Sequence, residues 1–506
     1  MSEKQKELRT EPKSNNQTSS YRSIFKATSL FGGVQVYQIL IQIIKSKFVA
    51  ILLGPTGVGI NGLYTSATSL IRELSSFGLS SSAIRDVSSA YAEGDNNKIN
   101  KTVTVSRRLF WVTGILGMIL VIVLSPLLSK TTFGSYAYIV PLIIVSVTLL
   151  LDQLSAGQKV LLQGTRKLKY LAKSSAIGAT VGLLVSVPMY YLWGLKAIVP
   201  AIIIHSITTL ALSAYYSNKL SFKKVKLSFK ETYKEGSGMM KMGVAMALSG
   251  IMVTSVAYIL RSYISNTGGL EEVGLFAAAH TIMTTYTALI FKAMGTDFYP
   301  RLAAVSNDNN KCNQLINQQG EIGILIMAPI LIACIVFAPI VIQILYSEKF
   351  LLTNGYIVWA SSGMLFKMAS WAMSYAFIAK GDSKEFMKNE VIANSRTLIL
   401  NILGYMFGGL TGLGASFAIT YFLYMLQLYV KCRKQYEFRF AKSFYTVFLL
   451  QMFMIVLSVA CYLFIKGLIV YFIGTLIIFI SGYISYKGLD KRMDISDLVL
   501  KKFKSK

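Results

Sequence analysis

Ten charged side chains sit inside long apolar runs of this 506-residue chain: Lys45, Lys47, Arg72, Glu73, Asp152, Arg261, Lys292, Asp297, Glu321 and Lys367. A charge held at the centre of a bilayer costs about 2.5–3.5 kcal/mol on insertion scales, so each is a functional candidate by default. Four of the cations, Lys45, Arg72, Arg261 and Lys292, could hold an anion. Arginine offers a rigid fork to phosphate or carboxylate oxygens, and lysine a mobile point charge. A cavity lined by one sign of charge also concentrates a ligand of the other sign. Glu73, Asp152, Asp297 and Lys367 are left for ion coupling, by proton or sodium, or for pairing. Blander readings stand beside these. Lys47, Asp297 and Glu321 lie near the ends of their runs, where a long side chain snorkels and a carboxylate meets water. Arg72 and Glu73 are adjacent and do not face each other on a helix, so Glu73 could instead pair with a neighbouring span.

The elements that must carry these residues are membrane helices. The chain is 54% hydrophobic and only 15% charged. Runs such as Phe110–Leu128, Ile139–Leu151 and Val447–Ile465 approach the roughly 20 apolar residues that a span needs. Hydropathy predicts fourteen spans between residues 28 and 486, with the first two meeting near Gly54 and the ninth drawn unbroken over 319–346. The net charge of +28 would suggest nucleic acid in a soluble chain, but its placement says otherwise. Basic residues crowd alternate loops: Arg85 to Arg108, Lys159 to Lys173, and Lys219 to Lys241, with near-empty turns between them. The positive-inside rule then puts both termini and the central basic segment in the cytoplasm, with the excess charge serving orientation and contact with anionic lipid. Nucleic acid is not an expected partner. Met1–Tyr21 lacks the apolar core of a secretory signal, so none is expected.

The chain also repeats itself. Gly54-Pro-Thr-Gly-Val-Gly59 returns as Gly269-Leu-Glu-Glu-Val-Gly274, 215 positions on (269 less 54). Tyr138-Ile-Val returns as Tyr356-Ile-Val, and Gln163-Gly164-Thr165 as Lys380-Gly381-Asp382, at nearly the same step. Fixed-offset similarity on this scale marks duplicated bundles. Six spans separate equivalent points, so the halves keep one orientation, as in parallel repeats. The expected architecture is an all-α membrane protein: a tail (1–23), a six-helix lobe (24–218), a cytoplasmic linker (219–238), a second six-helix lobe (239–434), and two extra helices with a basic tail (435–506). The cations respect the repeat, since Lys45 aligns with Arg261 at 216 positions (261 less 45), and Lys292 lies four beyond the partner of Arg72. No G-x-x-x-x-G-K-[ST] loop is present, the four cysteines show no paired spacing, and His205 and His280 read as packed residues within apolar spans. No enzyme activity, cofactor or metal site is expected.

Taken together, the layout resembles the polysaccharide-transporter branch of the multidrug/oligosaccharidyl-lipid/polysaccharide (MOP) exporter superfamily, and within it Wzx-type O-antigen and enterobacterial-common-antigen flippases. The residues that carry the resemblance are Phe48–Gly59, Ala257-Tyr-Ile-Leu-Arg261, Glu272-Val-Gly274-Leu-Phe and Asp297-Phe-Tyr-Pro300-Arg301-Leu. The resemblance implies translocation of an undecaprenyl-diphosphate-linked oligosaccharide across a bacterial inner membrane by alternating access. It further implies that spans 1, 2, 7 and 8 line a cleft in which the cations face the headgroup, with Tyr258, Tyr286 and Tyr299 available to stack on sugars. Membrane lipids, the lipid-linked glycan and the polysaccharide polymerase machinery are the partners it suggests. A lipid II flippase shares this layout and a basic cavity. A multidrug cation antiporter of the same superfamily would want buried carboxylates instead, and a glycan polymerase or ligase a long outer loop, which this chain lacks.

Overall fold

The computed structural model describes residues 13–493, so the two chain ends beyond them, including the basic end of the C-terminal tail, lie outside the described residues. All regular structure among the described residues is helical. The first half comprises α1 (Lys13–Ser76), α2 (Leu79–Glu93), α3 (Asn96–Phe133), α4 (Ile139–Gly164), α5 (Leu168–Trp193) and α6 (Ile198–Asn218). The second comprises α7 (Phe229–Thr267), α8 (Gly269–Ala304), α9 (Asn309–Val336), α10 (Ala338–Leu345), α11 (Asn354–Ala379) and α12 (Ser383–Tyr436), followed by α13 (Lys442–Phe464) and α14 (Ile469–Met493).

Ten helical stretches are long and apolar enough to cross a membrane. Three of these hold two spans each. In α1 the break is Gly54, at φ 65° and ψ −171°, followed by Pro55. Only glycine adopts that φ without strain, and proline cannot donate into the helix before it. In α12 the break is Gly408-Gly409, and α5 turns into α6 at Gly194, φ 55°. With α11, the described residues hold fourteen spans, in the predicted order. This is a multi-pass membrane protein of the expected fold class. The ninth span differs in detail: it stops at Val336, and Pro339, in the first turn where its missing N–H costs nothing, opens the short α10. Of the linker drawn over 219–238, the second half is already helix, the first turns of α7. Asp308 caps α9 by accepting the Lys311 backbone N–H, which holds its carboxyl below the usual carboxylate range.

The chain forms two compact units. The first comprises residues 13–48, 71–126 and 138–248; the second comprises 49–70, 127–137 and 249–493. The core of the first unit gathers the buried face of α2 (Leu79, Ala83, Val87) with Val103, Phe110, Val160 and Leu161. That of the second gathers Phe298, Leu302, Ile316, Ala376, Phe377 and Leu428. Val160-Leu161 and Ala376-Phe377 are 216 positions apart (376 less 160), so the repeat seen in the sequence is also a repeat of cores.

In the first unit the segment after α6 is strapped onto α3. Asn100 Oδ1 accepts the Lys223 N–H at 3.0 Å, and Arg108 Nη1 donates to the Leu227 carbonyl at 2.6 Å. In the second, α13 and α14 are fastened to α9. Glu321 is buried and accepts from Arg492 Nε at 2.7 Å and from Ser443 Oγ at 2.6 Å. Glu321 is therefore a packing residue, held by protein partners and not by the water that its place near a span end suggests.

Candidate functional site

Each unit encloses a basic cavity made by its own helices. In the first unit a cavity of about 250 Å³ is lined by Gln38, Gln42 and Lys45 from α1, Lys159 from α4, Ser174, Ser175 and Gly178 from α5, and His205 and Thr209 from α6. Two ammonium groups, an imidazole, two amides and several hydroxyls converge there. No carboxylate is among its lining residues. Gly182 of α5 makes room for the imidazole: a Cβ at that position would press on His205 Nδ1 at 2.6 Å.

The second unit holds a cavity of about 370 Å³. Its cations are Arg261 from α7, Lys367 from α11 and Arg396 from α12; its carboxylate is Glu390. Aromatic rings supply much of the remaining wall. Lys367 Nζ lies 5.0 Å from the centre of the Tyr421 ring and 5.9 Å from that of Phe417, within cation–π range. Tyr424 donates to Glu390 at 3.0 Å, and Arg396 Nη1 donates to Gln427 Oε1 at 2.7 Å. Arg261 Nε, and Nε and Nη2 of Arg396, are buried without a hydrogen-bond partner among the described residues. Such donors are costly to leave unmet, and a cavity presenting them together favours an anionic or multiply accepting ligand.

The two cavities are equivalent by the repeat. Ile41 and Ala257, Lys45 and Arg261, Ser174 and Glu390, Gly178 and Asn394, and His205 and Tyr421 each differ by 216 positions, and every one of these ten residues lines its cavity. Duplication has thus preserved the place while changing the chemistry: amide and hydroxyl in the first, aromatic in the second.

The predicted site residues divide accordingly. Lys45, Arg261 and Lys367 line cavities. Arg72 does not: its guanidinium is 3.5 Å from Asp152, which corrects the expectation that it stands unpaired. The cause is register, since α1 and α4 bring the two side chains together inside the first unit. Lys292 is exposed on α8 and lines neither cavity. Asp297 is exposed and bonded to Arg301 at 3.1 Å, one turn along its own helix. Glu73 is half-buried and makes no ion pair among the described residues. Of the tyrosines considered for sugars, Tyr258 is bonded to Thr131 and Thr132, Tyr299 packs beside Tyr375, and the Tyr286 side chain lies outside the described residues.

Four lining residues escaped the sequence reading. The basic neighbourhood of Lys159 reads as a loop, but α4 continues through it to Gly164. Arg396 and Glu390 fall inside a predicted span, and both line the second cavity. His205 was read as packed but lines the first cavity. His280 is packed as expected, with Nδ1 3.1 Å from the Tyr356 hydroxyl and its ring against Phe276, and it also lines the second cavity.

Several solved structures share the fold. An inward-facing multidrug-resistance MATE transporter of the MOP superfamily matches with TM-score 0.68 at 14% identity, over 79% of this chain and 94% of that one. The lipid II flippase MurJ, in an inward closed conformation, matches with TM-score 0.63 at 17% identity, over 91% and 99%. A MOP-superfamily transporter from Pyrococcus furiosus, described as having a binding pocket of reverse polarity, matches with TM-score 0.57 at 12% identity, over 81% and 96%. At these identities the likeness is one of fold. Among curated proteins no match is found. The family described as polysaccharide biosynthesis protein matches residues 48–353, more than half of the chain. With its many membrane spans and a basic cavity in each of its two units, this chain belongs to the polysaccharide biosynthesis protein family.

Proposed function

We propose that this protein is a flippase that moves an undecaprenyl-diphosphate-linked oligosaccharide, a repeat unit of O-antigen or a related surface polysaccharide, from the inner to the outer leaflet by alternating access. The observation that carries this reading is the repeat-matched pair of basic cavities, anchored by Lys45 and Arg261, in a chain of a polysaccharide biosynthesis family. Cations suit the diphosphate, while rings and mixed donors and acceptors suit sugar faces and hydroxyls. Both termini and the basic segment after α6 lie in the cytoplasm, and the membrane is the bacterial inner membrane; the alternation of basic loops supports that orientation. A membrane potential negative inside favours outward movement of an anion by about 2.3 kcal/mol per charge per 100 mV, so the diphosphate supplies its own driving force. Delivery to a polysaccharide polymerase in the outer leaflet follows from the same reading.

The second reading is transport of lipid II, favoured by the likeness to MurJ along nearly the whole of both chains. A multidrug antiporter fits less well, because an organic cation would meet two lysines and no carboxylate in the first cavity. The test is reconstitution in liposomes with a fluorescent polyprenyl-diphosphate glycan, lipid II and an organic cation in parallel. Movement of the glycan that is lost in Arg261→Ala supports the flippase reading; movement of the cation alone sinks it.

A further inference from the structure

The cavity of the first unit differs from its counterpart in a way that suggests a division of labour. It has no Phe, Tyr or Trp ring and no carboxylate among its lining residues. Two lysines on different helices, α1 and α4, enter it, joined by His205 from α6, which Gly182 accommodates on α5. Lys45 and Lys159 are both half-buried, and neither has a carboxylate within ion-pairing distance among the described residues. Asp152 acts on Lys159 and His205 only from beyond ion-pairing distance, and two ammonium groups partly removed from water without a direct partner are unfavourable alone, which is why buried charges are ordinarily paired. The arrangement becomes favourable when an anion enters between them. At about 250 Å³ the cavity has room for a phosphate or diphosphate group. Gln38, Gln42 and Ser174 add neutral donors of the kind that complete the shell of a phosphate whose charge the lysines meet. The second cavity, larger and walled by rings, lacks that simplicity.

We infer that the first-unit cavity is a phosphate-group site, in which Lys159 and His205 join Lys45 as ligands of the phosphate or diphosphate carried by the transported lipid. The assignment deepens, and for the identity of the carrier rests on, the flippase reading above; the binding chemistry does not depend on it. Lys159 has the larger share of this inference, because it brings a second ammonium group to the cavity from another helix, α4.

The test uses the full chain in nanodiscs of neutral lipid, with inorganic pyrophosphate as the probe and calorimetry as the readout. Pyrophosphate should bind the unaltered protein. Lys159→Gln and Lys45→Gln should each weaken it about tenfold or more, the scale of one lost charge-assisted hydrogen bond. His205→Gln should weaken it less, and Lys159→Arg should keep most of the affinity, which separates charge from misfolding. Competition identifies the carrier. Displacement by a short-chain polyprenyl diphosphate and not by phosphatidylglycerol supports the inference, and displacement by phosphatidylglycerol alone overturns it. Binding that survives Lys45→Gln/Lys159→Gln also overturns it. If glycan movement proves indifferent to Arg261→Ala while pyrophosphate still requires Lys159, the flippase reading fails and the phosphate site stands. If movement requires Arg261 but pyrophosphate never binds through Lys159, the reverse holds.

Discussion

Gly59 and Gly274 pack backbone to backbone within the second unit, and each meets the other's copy of the repeated motif. A Cβ on Gly59 would overlap the Leu270 carbonyl oxygen, and one on Gly274 would overlap the Pro55 carbonyl oxygen. Pro55 and Leu270 are themselves 215 positions apart (270 less 55), so the contact is reciprocal. The repeated glycines are therefore a device for bringing two copies of one motif together, as small residues do between membrane helices.

Neither glycine can accept a methyl without moving a backbone carbonyl. Gly59→Ala and Gly274→Ala should each destabilise the protein by about 1–3 kcal/mol, the usual cost of overpacking. The double substitution should cost less than the sum, because the first displaces the surface that the second would strike. Gly482→Ala, where a Cβ meets nothing within 4 Å, should be neutral or slightly stabilising. Thermal unfolding in detergent measures all four, and an unperturbed Gly274→Ala would contradict the contact.

Arg72 and Asp152 offer a choice between packing and binding. The ion pair at 3.5 Å, with side chains 41% and 34% exposed, is worth about 0.5–1 kcal/mol. If its role is structural, Arg72→Ala and Asp152→Ala should each lower stability and export, while Arg72→Ala/Asp152→Ala recovers most of both. If Arg72 instead grips the headgroup, removing Asp152 cannot restore what Arg72 supplied, and the double variant stays inactive. The pair predicts recovery, read by a double-substitution cycle on glycan movement.

What could be read from the sequence was whatever depends on period and position. Fourteen spans, the break at Gly54 and the matched pair Lys45 and Arg261 all follow from hydropathy and a fixed offset. The errors arose where a long side chain or a helix end decides the outcome. Lys159 reads as loop because its neighbourhood is basic, yet α4 runs on to Gly164. Arg72 reads as unpaired because Asp152 is eighty positions away (152 less 72). Such a pairing depends on which faces of α1 and α4 meet, and helical period along either segment does not say which neighbour a face will meet. Arg396 lies within a predicted span, so its burial follows from sequence position alone.

The two extra helices are held by a buried ion pair rather than by apolar contact alone. Glu321, 5% exposed, takes hydrogen bonds from Arg492 and Ser443, so Glu321→Ala would leave the guanidinium without its counter-charge. Breaking one side of a buried pair costs about 3–5 kcal/mol. Glu321→Ala should therefore lower the unfolding temperature and expose α14 to protease near residue 488, while Glu321→Gln, which still accepts a hydrogen bond, should fall between the two. Replacing both partners by leucine and methionine should recover much of the loss. Export should track the amount of folded protein, because none of these groups lines a cavity.

Arg261 and Lys45 occupy one place in two repeats, yet substitution should affect them differently. Arg261 Nε is buried and without a partner, in a cavity that already contains Lys367 and Arg396. Its fork can serve two oxygens at once, and a lysine there keeps the charge but loses the geometry. Arg261→Ala should slow glycan movement about tenfold to a hundredfold, from the loss of charged hydrogen bonds of about 1.5–3 kcal/mol, and Arg261→Lys should recover only part. Lys45 works as a point charge beside Lys159, so Lys45→Arg should retain most of the activity and Lys45→Ala little of it. Arg439→Ala, outside both cavities, serves as the control for general loss of positive charge. Initial rates in liposomes at matched protein content decide the matter. Equal tolerance of Arg261→Lys and Lys45→Arg would mean that charge alone, and not the fork, governs the second cavity.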